Sequence, residues 1–300
     1  MREHDYSGAT AHRRRRFDDD EPLFVKRRGH QAPPVGAGDD EPYPDDGWSS
    51  WGAPGVLHGP EPLPGWVVTE LAAVDAELGV IKTGKEADVH LVERAIPGTD
   101  RGVLLAAKRY RTPEHRMFHR DAGYIEGRRV RESRVTRAMA NRTSFGREAL
   151  AGQWALAEFA ALTRLWQLGV SVPYPVQLLG TELMLEFLGT AEGGAAPRLA
   201  QLRPSGEELS GLWRQLVDAL TVLARAGLAH GDLSPYNLLV HEGRLVLIDL
   251  PQIVDVVSNP AGPTFLARDV RVVAKWFTAR GLAVDADALV DELLADAGVR

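Results

Sequence analysis

The sequence predicts an α+β fold in two lobes, the first rich in strands, the second helical and short. Three observations carry this. Residues 79–108 read as strand, small-residue loop, strand, turn and strand. Two later stretches, 148–168 and 205–225, place apolar residues at helical spacing. Between the second helix and a short tail, residues 230–252 read HGDLSPYNLLVHEGRLVLIDLPQ, a loop, a tight hairpin and a strand end. That last stretch sets Asp232, Asn237 and Asp249 in apolar surroundings. A layout of this kind can bring one carboxylate to a reacting hydroxyl, and an amide and a second carboxylate to a divalent cation.

Composition narrows the function classes. The chain has 300 residues, 44% of them hydrophobic and 25% charged, with a net charge of −6. These values fit a soluble globular protein and give no global case for nucleic-acid binding. The absence of cysteine excludes a disulfide scaffold and a cysteine-based zinc site. No apolar run reaches the roughly 20 residues that span a bilayer, and the N-terminus lacks a signal-peptide pattern. A cytoplasmic protein without membrane contact is the expectation.

Residues 1–64 hold 9 Pro and 8 Gly, with Arg13 to Arg16 set against Asp18, Asp19, Asp20 and Glu21. They show no hydrophobic periodicity and read as a disordered tail. The first lobe is expected over 65–188. Val67, Leu71, Val74 and Leu78 recur at helical spacing and predict a short amphipathic helix. Val80 leads into Thr83-Gly84-Lys85-Glu86, after which Ala87, Val89 and Leu91 alternate as a half-buried strand. A small-residue loop with unbonded backbone N–H groups can cover phosphates. Val103 to Lys108 forms the third strand. Its lysine follows Ala106 and Ala107, and the arrangement resembles the kinase VAIK pattern. The plain alternative is an edge lysine extending to solvent.

Residues 109–147 hold eleven arginines against four acids, a local charge of +7. They read as a flexible basic insertion, either an anion-contacting surface for RNA or nucleotide phosphates or a solvated loop. The following helix presents Leu150, Trp154, Ala157, Ala161, Leu165 and Leu168 as its apolar face. Glu158 lies beside that face and is the candidate partner of Lys108. LMLEFLG at 183–189 resembles a kinase hinge, with the backbone of Glu186 and Leu188 facing an adenine edge and Leu185 before them. The second lobe is expected over 189–300. Ser205 and Glu208 form a capping box, and Leu209, Leu212, Trp213, Leu216, Leu220 and Leu223 extend the helix that delivers His230-Gly231-Asp232. A helix over 264–280, with Phe265, Val272, Val273, Trp276 and Phe277 as core, and another over 284–296 complete the chain. No stretch suits a long activation loop.

Together these motifs resemble the RIO family of atypical protein kinases. TGKEADVH at 83–90 is similar to that family's STGKEANVY loop, HGDLSPYN at 230–237 to its HGDLSEYN loop, and IDLPQ at 248–252 to its IDFPQ or IDVSQ segment. Pro235, Asp88, His90 and Leu250 depart from the pattern, and none of them removes a reacting or metal-binding group. No winged-helix pattern precedes the kinase region, which favours the Rio1-like branch. Heavy Ala, Arg, Gly and Val use suggests a GC-rich, bacterial source.

The resemblance implies a bilobal protein-kinase-like fold with a trimmed C-lobe, and a serine/threonine kinase or ATPase. ATP would lie between the lobes under Thr83, Gly84, Lys85, Glu86 and Val89, with Lys108 on its phosphates and Glu158 holding Lys108. Asn237 and Asp249 would hold Mg²⁺, with Mn²⁺ as an alternative, and Asp232 would orient the acceptor hydroxyl. Ser234 stands where conventional protein kinases carry a lysine. Family members also form a phosphoaspartate, for which Asp249 is the matching position. Two other classes stay open: a small-molecule phosphotransferase of the aminoglycoside or choline kinase type, and a non-catalytic ATP-binding scaffold. The protein substrate is not legible.

Overall fold

A computed structural model describes residues 47–111 and 144–299. Seven strands form one antiparallel sheet in the first lobe: β1 (Gly47–Trp48), β2 (Leu57–His58), β3 (Val74–Thr83), β4 (Ala87–Ala95), β5 (Gly102–Tyr110), β6 (Pro175–Leu179) and β7 (Glu182–Glu186). Their spatial order is β1-β3-β4-β5-β7-β6-β2. Helix α1 (Ser144–Gln167) packs on one face of this sheet, beside Ala87, Tyr110, Leu178 and Leu183. The other face buries Val92, Leu105, Ala107, Val176 and Met184 under Trp51, Trp66 and Val67. Strand alternation sends Ala107 to one face and Lys108 to the other.

That second face corrects two expectations. Residues 47–64 are part of the sheet lobe, not of a tail. β1 pairs with β3 at one edge, and β2 pairs with β6 at the other. Ser50 Oγ accepts a bond from Gln177 Nε2 at 2.7 Å, and Tyr174 donates its hydroxyl to Pro60 O at 2.8 Å. The segment is held by its tryptophans and by backbone pairing, neither of which needs hydrophobic periodicity. The helix expected from Val67 to Leu78 is absent. Val67 and Val68 are buried, Leu71 is exposed, and Val74 already begins β3. The 3–4 spacing of these residues arose by coincidence, and pairing with β4 over Val74–Thr83 overrides it.

A buried arginine ties the lobe together. Arg94 of β4 is fully buried and donates to both Asp75 carboxylate oxygens, at 2.7 and 2.8 Å, and to Gln177 Oε1 at 2.9 Å. A buried guanidinium persists only when its donors are met in this way.

The second lobe consists of α2 (Gly206–Arg225), β8 (Leu228–Ala229), β9 (Leu238–His241), β10 (Arg244–Leu247), β11 (Val254–Asp255), α3 (Gly262–Thr278) and α4 (Ala286–Asp296). The capping box at α2 is present, with Ser205 N–H donating to Glu208 at 3.3 Å. Glu242 and Gly243, at φ 51° and 74°, make the two-residue turn joining β9 to β10. The core face of α3 is Leu266, Val270, Val273 and Phe277. Phe265 is only half-buried and Val272 is exposed, so the expected face was turned by about one residue. In α1 the expected Ala161 and Leu165 are buried, but Ala151, Ala155, Glu158, Phe159 and Leu162 join them, and Leu168, just past the end of the helix, is exposed.

The basic insertion expected over 109–147 is shorter at both ends. Arg109 and Tyr110 belong to β5, and α1 starts at Ser144. Arg109 and Arg111 bind acids of the sheet: Glu77 and Glu182 for the first, Asp88 for the second. The remainder of that segment, 112–143, lies outside the described residues, as does the tail over 1–46.

Candidate active site

The site forms where two short strands meet. β8 precedes the Asp232 loop and β11 follows the Asp249 loop. Their pairing, Ala229 with Val254 and Leu228 with Asp255, closes residues 230–253 into one enclosed turn system. Gly231 sits at φ 86° against the backbone of the second loop, and a Cβ there would fall 2.3 Å from Gln252 O. Only glycine permits that approach.

His230 cross-braces the two loops. Its ring is fully buried, with Nε2 3.1 Å from Ile248 O and Nδ1 3.4 Å from the Asp232 N–H. A ring carrying its proton on Nε2 satisfies both contacts. Ile248 N–H in turn donates to Asn237 O at 3.0 Å. Asp269 of α3, also buried, accepts from Gly231 N–H at 2.7 Å and from Leu233 N–H at 3.0 Å. Burial pushes the Asp269 carboxyl above its ordinary range, and these two amides act against that push. The backbone on both sides of Asp232 is thereby fixed to α3.

The charged centre is a chain of four side chains. Lys108 Nζ donates to Glu158 Oε1 at 2.8 Å and to Asp249 Oδ1 at 2.9 Å. Glu158 is 1% exposed, and it also accepts from the Tyr110 hydroxyl and from Leu250 N–H at 3.2 Å. Burial works against the Lys108 charge, but the Glu158 and Asp249 carboxylates hold its pKa above the ordinary lysine value. The Lys108 ammonium holds the Asp249 carboxyl below its ordinary range. Burial, and then the Glu158 charge, push the Tyr110 hydroxyl upward. Asp249 adopts φ 65°, a left-handed backbone that costs a non-glycine residue about 1 kcal/mol or more. Its side chain is half-exposed.

The other expected site residues fall around this centre. Asn237 donates Nδ2 to Asp232 O at 2.8 Å, which leaves Oδ1 as the end to meet a cation. Asn237 Oδ1 and the Asp249 carboxylate are oxygen donors of the kind that suits a hard divalent ion. Thr83, Lys85 and Glu86 are exposed, and Val89 pairs in register with Lys108. One expectation fails here. The Gly84 N–H is not unbonded, because it donates to Ala87 O at 2.9 Å and closes the turn between β3 and β4. A tight turn between paired strands bonds its own backbone groups first. At the hinge, Glu186 N–H donates to Tyr174 O at 2.9 Å and Leu188 O accepts from Ala196 N–H at 2.8 Å. Those two bonds use neither the Glu186 carbonyl nor the Leu188 N–H.

Tyr110, Arg268 and Asp269 escaped the sequence reading. Tyr110 could have been found, since it lies two residues beyond Lys108 on the same strand face. Arg268 Nη2 donates to Asp232 Oδ1 at 3.1 Å, between half-exposed side chains. No motif flags either it or Asp269.

A strand-rich lobe carrying a lysine–glutamate pair, met by a loop carboxylate of a helical lobe, defines a protein-kinase-like α+β architecture. A family model described as the RIO domain matches residues 100–289. The chain belongs to the RIO family. It is 35% identical over 225 residues to the RIO-type serine/threonine-protein kinase Rio1 of Haloferax volcanii, an alignment covering 75% of this chain and 71% of that one. It is 32% identical over 229 residues to the serine/threonine-protein kinase RIO1 of Chaetomium thermophilum, with 73% and 42% covered, and 28% identical to that of Saccharomyces cerevisiae, with 69% and 45% covered. The chain thus spans less than half the length of these two fungal relatives. Among the described residues no helix is long and apolar enough to cross a membrane.

Proposed function

We propose that this chain is a RIO-type serine/threonine kinase and ATPase that transfers the γ-phosphoryl of ATP to protein hydroxyls, its own included. The observation that carries the reading is the Lys108 ammonium, held by buried Glu158 and reaching Asp249 across the lobes. Lys108 would contact the nucleotide phosphates, and Glu158 keeps it charged and aimed. The Glu186 carbonyl and Leu188 N–H would take the adenine edge. Asn237 Oδ1 and Asp249 would hold Mg²⁺, or Mn²⁺ in its place, and that ion would offset phosphate charge. The Asp232 carboxylate would orient the acceptor hydroxyl and take its proton. Phosphoryl transfer relies on positioning and electrostatics, so these few groups suffice. The Thr83–Val89 turn would cover the phosphates after opening its Gly84 bond.

Labelled ATP supplied with cell lysate, to wild type and to Asp232→Asn, tests this. Label should enter the chain and lysate proteins, and Asp232→Asn should lower the rate about 10²–10³-fold, the loss expected for one preorganised electrostatic group. Label entering an aminoglycoside or a sugar instead, or no ATP turnover at all, would overturn the reading. We further place the protein in the cytoplasm and the basic 109–147 segment on rRNA, on the strength of the eight arginines over 112–143, since Arg109 and Arg111 already meet acids of the sheet. Co-purification with ribosomes should then fall steeply as salt rises.

A further inference from the structure

Arg268 has a role that a structural ion pair does not account for. It meets Asp232 through a single nitrogen at 3.1 Å, and the two side chains are 56% and 51% exposed. Such a pair contributes little to stability and exchanges readily for another carboxylate. Neighbouring Asp269 already fixes the loop backbone from a buried position, so Arg268 is not needed for that purpose. Arg268 is also not alone. Arg271 and Lys275 follow at helical spacing along the exposed side of α3. Arg271 meets Asp287, whose side chain is 79% exposed. Beyond it, between α3 and α4, opens a groove of about 440 Å³ lined by Arg271, Lys275, Thr278, Ala286 and Asp287. A cationic strip thus starts at the carboxylate assigned to the acceptor hydroxyl and leads away from it. Its seven-residue span is about 10 Å at 1.5 Å per residue, which matches about three residues of extended peptide.

We infer that Arg268, Arg271 and Lys275 form a docking strip that selects serine or threonine acceptors flanked by aspartate or glutamate. A carboxylate of the substrate takes Arg268 from Asp232, and this exchange frees Asp232 to face the incoming hydroxyl. The selection therefore acts both on docking and on opening of the site. This rests on the kinase reading above.

The test uses the full chain, labelled ATP with Mg²⁺, and three peptides that share one serine. In these the four positions on each side are acidic, neutral amide or basic. The kcat/KM order should be acidic, neutral, basic, with the acidic peptide favoured over the neutral one by about 2–5-fold for each cation it engages. About 0.5 M salt should flatten the order. Arg268→Glu should invert it, and Lys275→Glu, which lies away from Asp232, should shrink the acidic-to-neutral ratio. Because each ratio is taken within one variant, a general loss of activity does not mimic the effect. Equal use of the three peptides, or an order unmoved by both substitutions, overturns the docking strip. If ATP is hydrolysed in an Asp232-dependent way but no peptide is labelled, the docking strip falls and the nucleotide site stands. If no ATP is turned over, both readings fall.

Discussion

Glu158 is the residue on which the charged centre depends. It is almost fully buried and gathers three donors, Lys108 Nζ, Tyr110 Oη and Leu250 N–H. Removing its charge leaves Lys108 facing Asp249 alone, with burial acting against the ammonium. Breaking a buried pair from one side costs about 3–5 kcal/mol. Glu158→Gln, which keeps the shape, should therefore cost about 3 kcal/mol in denaturant unfolding, and Tyr110→Phe about 1 kcal/mol. The pH dependence has a definite sign. Asp249 is held below its ordinary carboxyl value of about 3.9. Its contribution is fully present above that value and is lost as pH falls through the depressed folded value. Lys108 is shifted the other way, so its contribution is full below about 10.4 and is lost only as pH rises above its raised folded value. Unfolding curves should be flat with respect to this pair from about pH 5 to 9, and Asp249→Asn should flatten the acid limb. An acid limb identical in wild type and variant would show that Asp249 is not held by Lys108 in solution.

The elements differ in how far the sequence reveals them. The three central strands, α2 and its cap, and the 238–247 hairpin were legible, because each carries its own local signal: alternation, a capping box, or a turn with a glycine. The faces of α1 and α3 were legible in part: Ala161, Leu165, Val273 and Phe277 are buried as expected, whereas Leu168, past the end of α1, and Val272 are apolar but exposed. Glu158, expected beside the apolar face of α1 as the partner of Lys108, is buried among its hydrogen-bond partners, and Asp269 is buried in the same way without any local signal. Arg268 and Asp269 act on a loop 36 to 38 residues away, and nothing in a linear pattern marks such a contact. Residues 47–64 escaped because two-residue strands have no periodicity to detect. The last point yields a prediction. A chain starting at residue 65, where hydrophobic patterning begins, lacks the cover provided by Trp51 and the Ser50 partner of Gln177. It should unfold at least about 2 kcal/mol more easily than one starting at residue 47. Equal denaturation midpoints would show that this cover adds nothing.

At the scale of the molecule, one apolar cluster runs from α1 into the helical lobe, and the Asp249 loop adds polar links between the lobes. The Lys108–Asp249 pair joins the sheet lobe to the loop of the helical lobe, and Leu250 N–H reaches Glu158 of α1 from the same loop. Asp249 is half-exposed, so the link is partly screened and its worth in the resting protein is small. A nucleotide with its metal ion would supply a much larger link, because it would engage Lys108 from one lobe and Asn237 and Asp249 from the other. Anything that binds the folded chain and not the unfolded one stabilises it by mass action, by about 2.7 kcal/mol at a hundredfold excess over Kd. Mg²⁺ and ATP together should therefore raise the melting temperature of wild type by several degrees, with ATP alone or Mg²⁺ alone giving less. Asp249→Asn should remove most of the metal-dependent part and keep the smaller shift from ATP alone. Lys108→Ala should reduce both, since the lysine contacts phosphate whether or not the ion is bound. The two substitutions thus separate the metal from the phosphate contribution within one assay. A metal-dependent shift that survives Asp249→Asn intact would place the cation elsewhere than between Asn237 and Asp249.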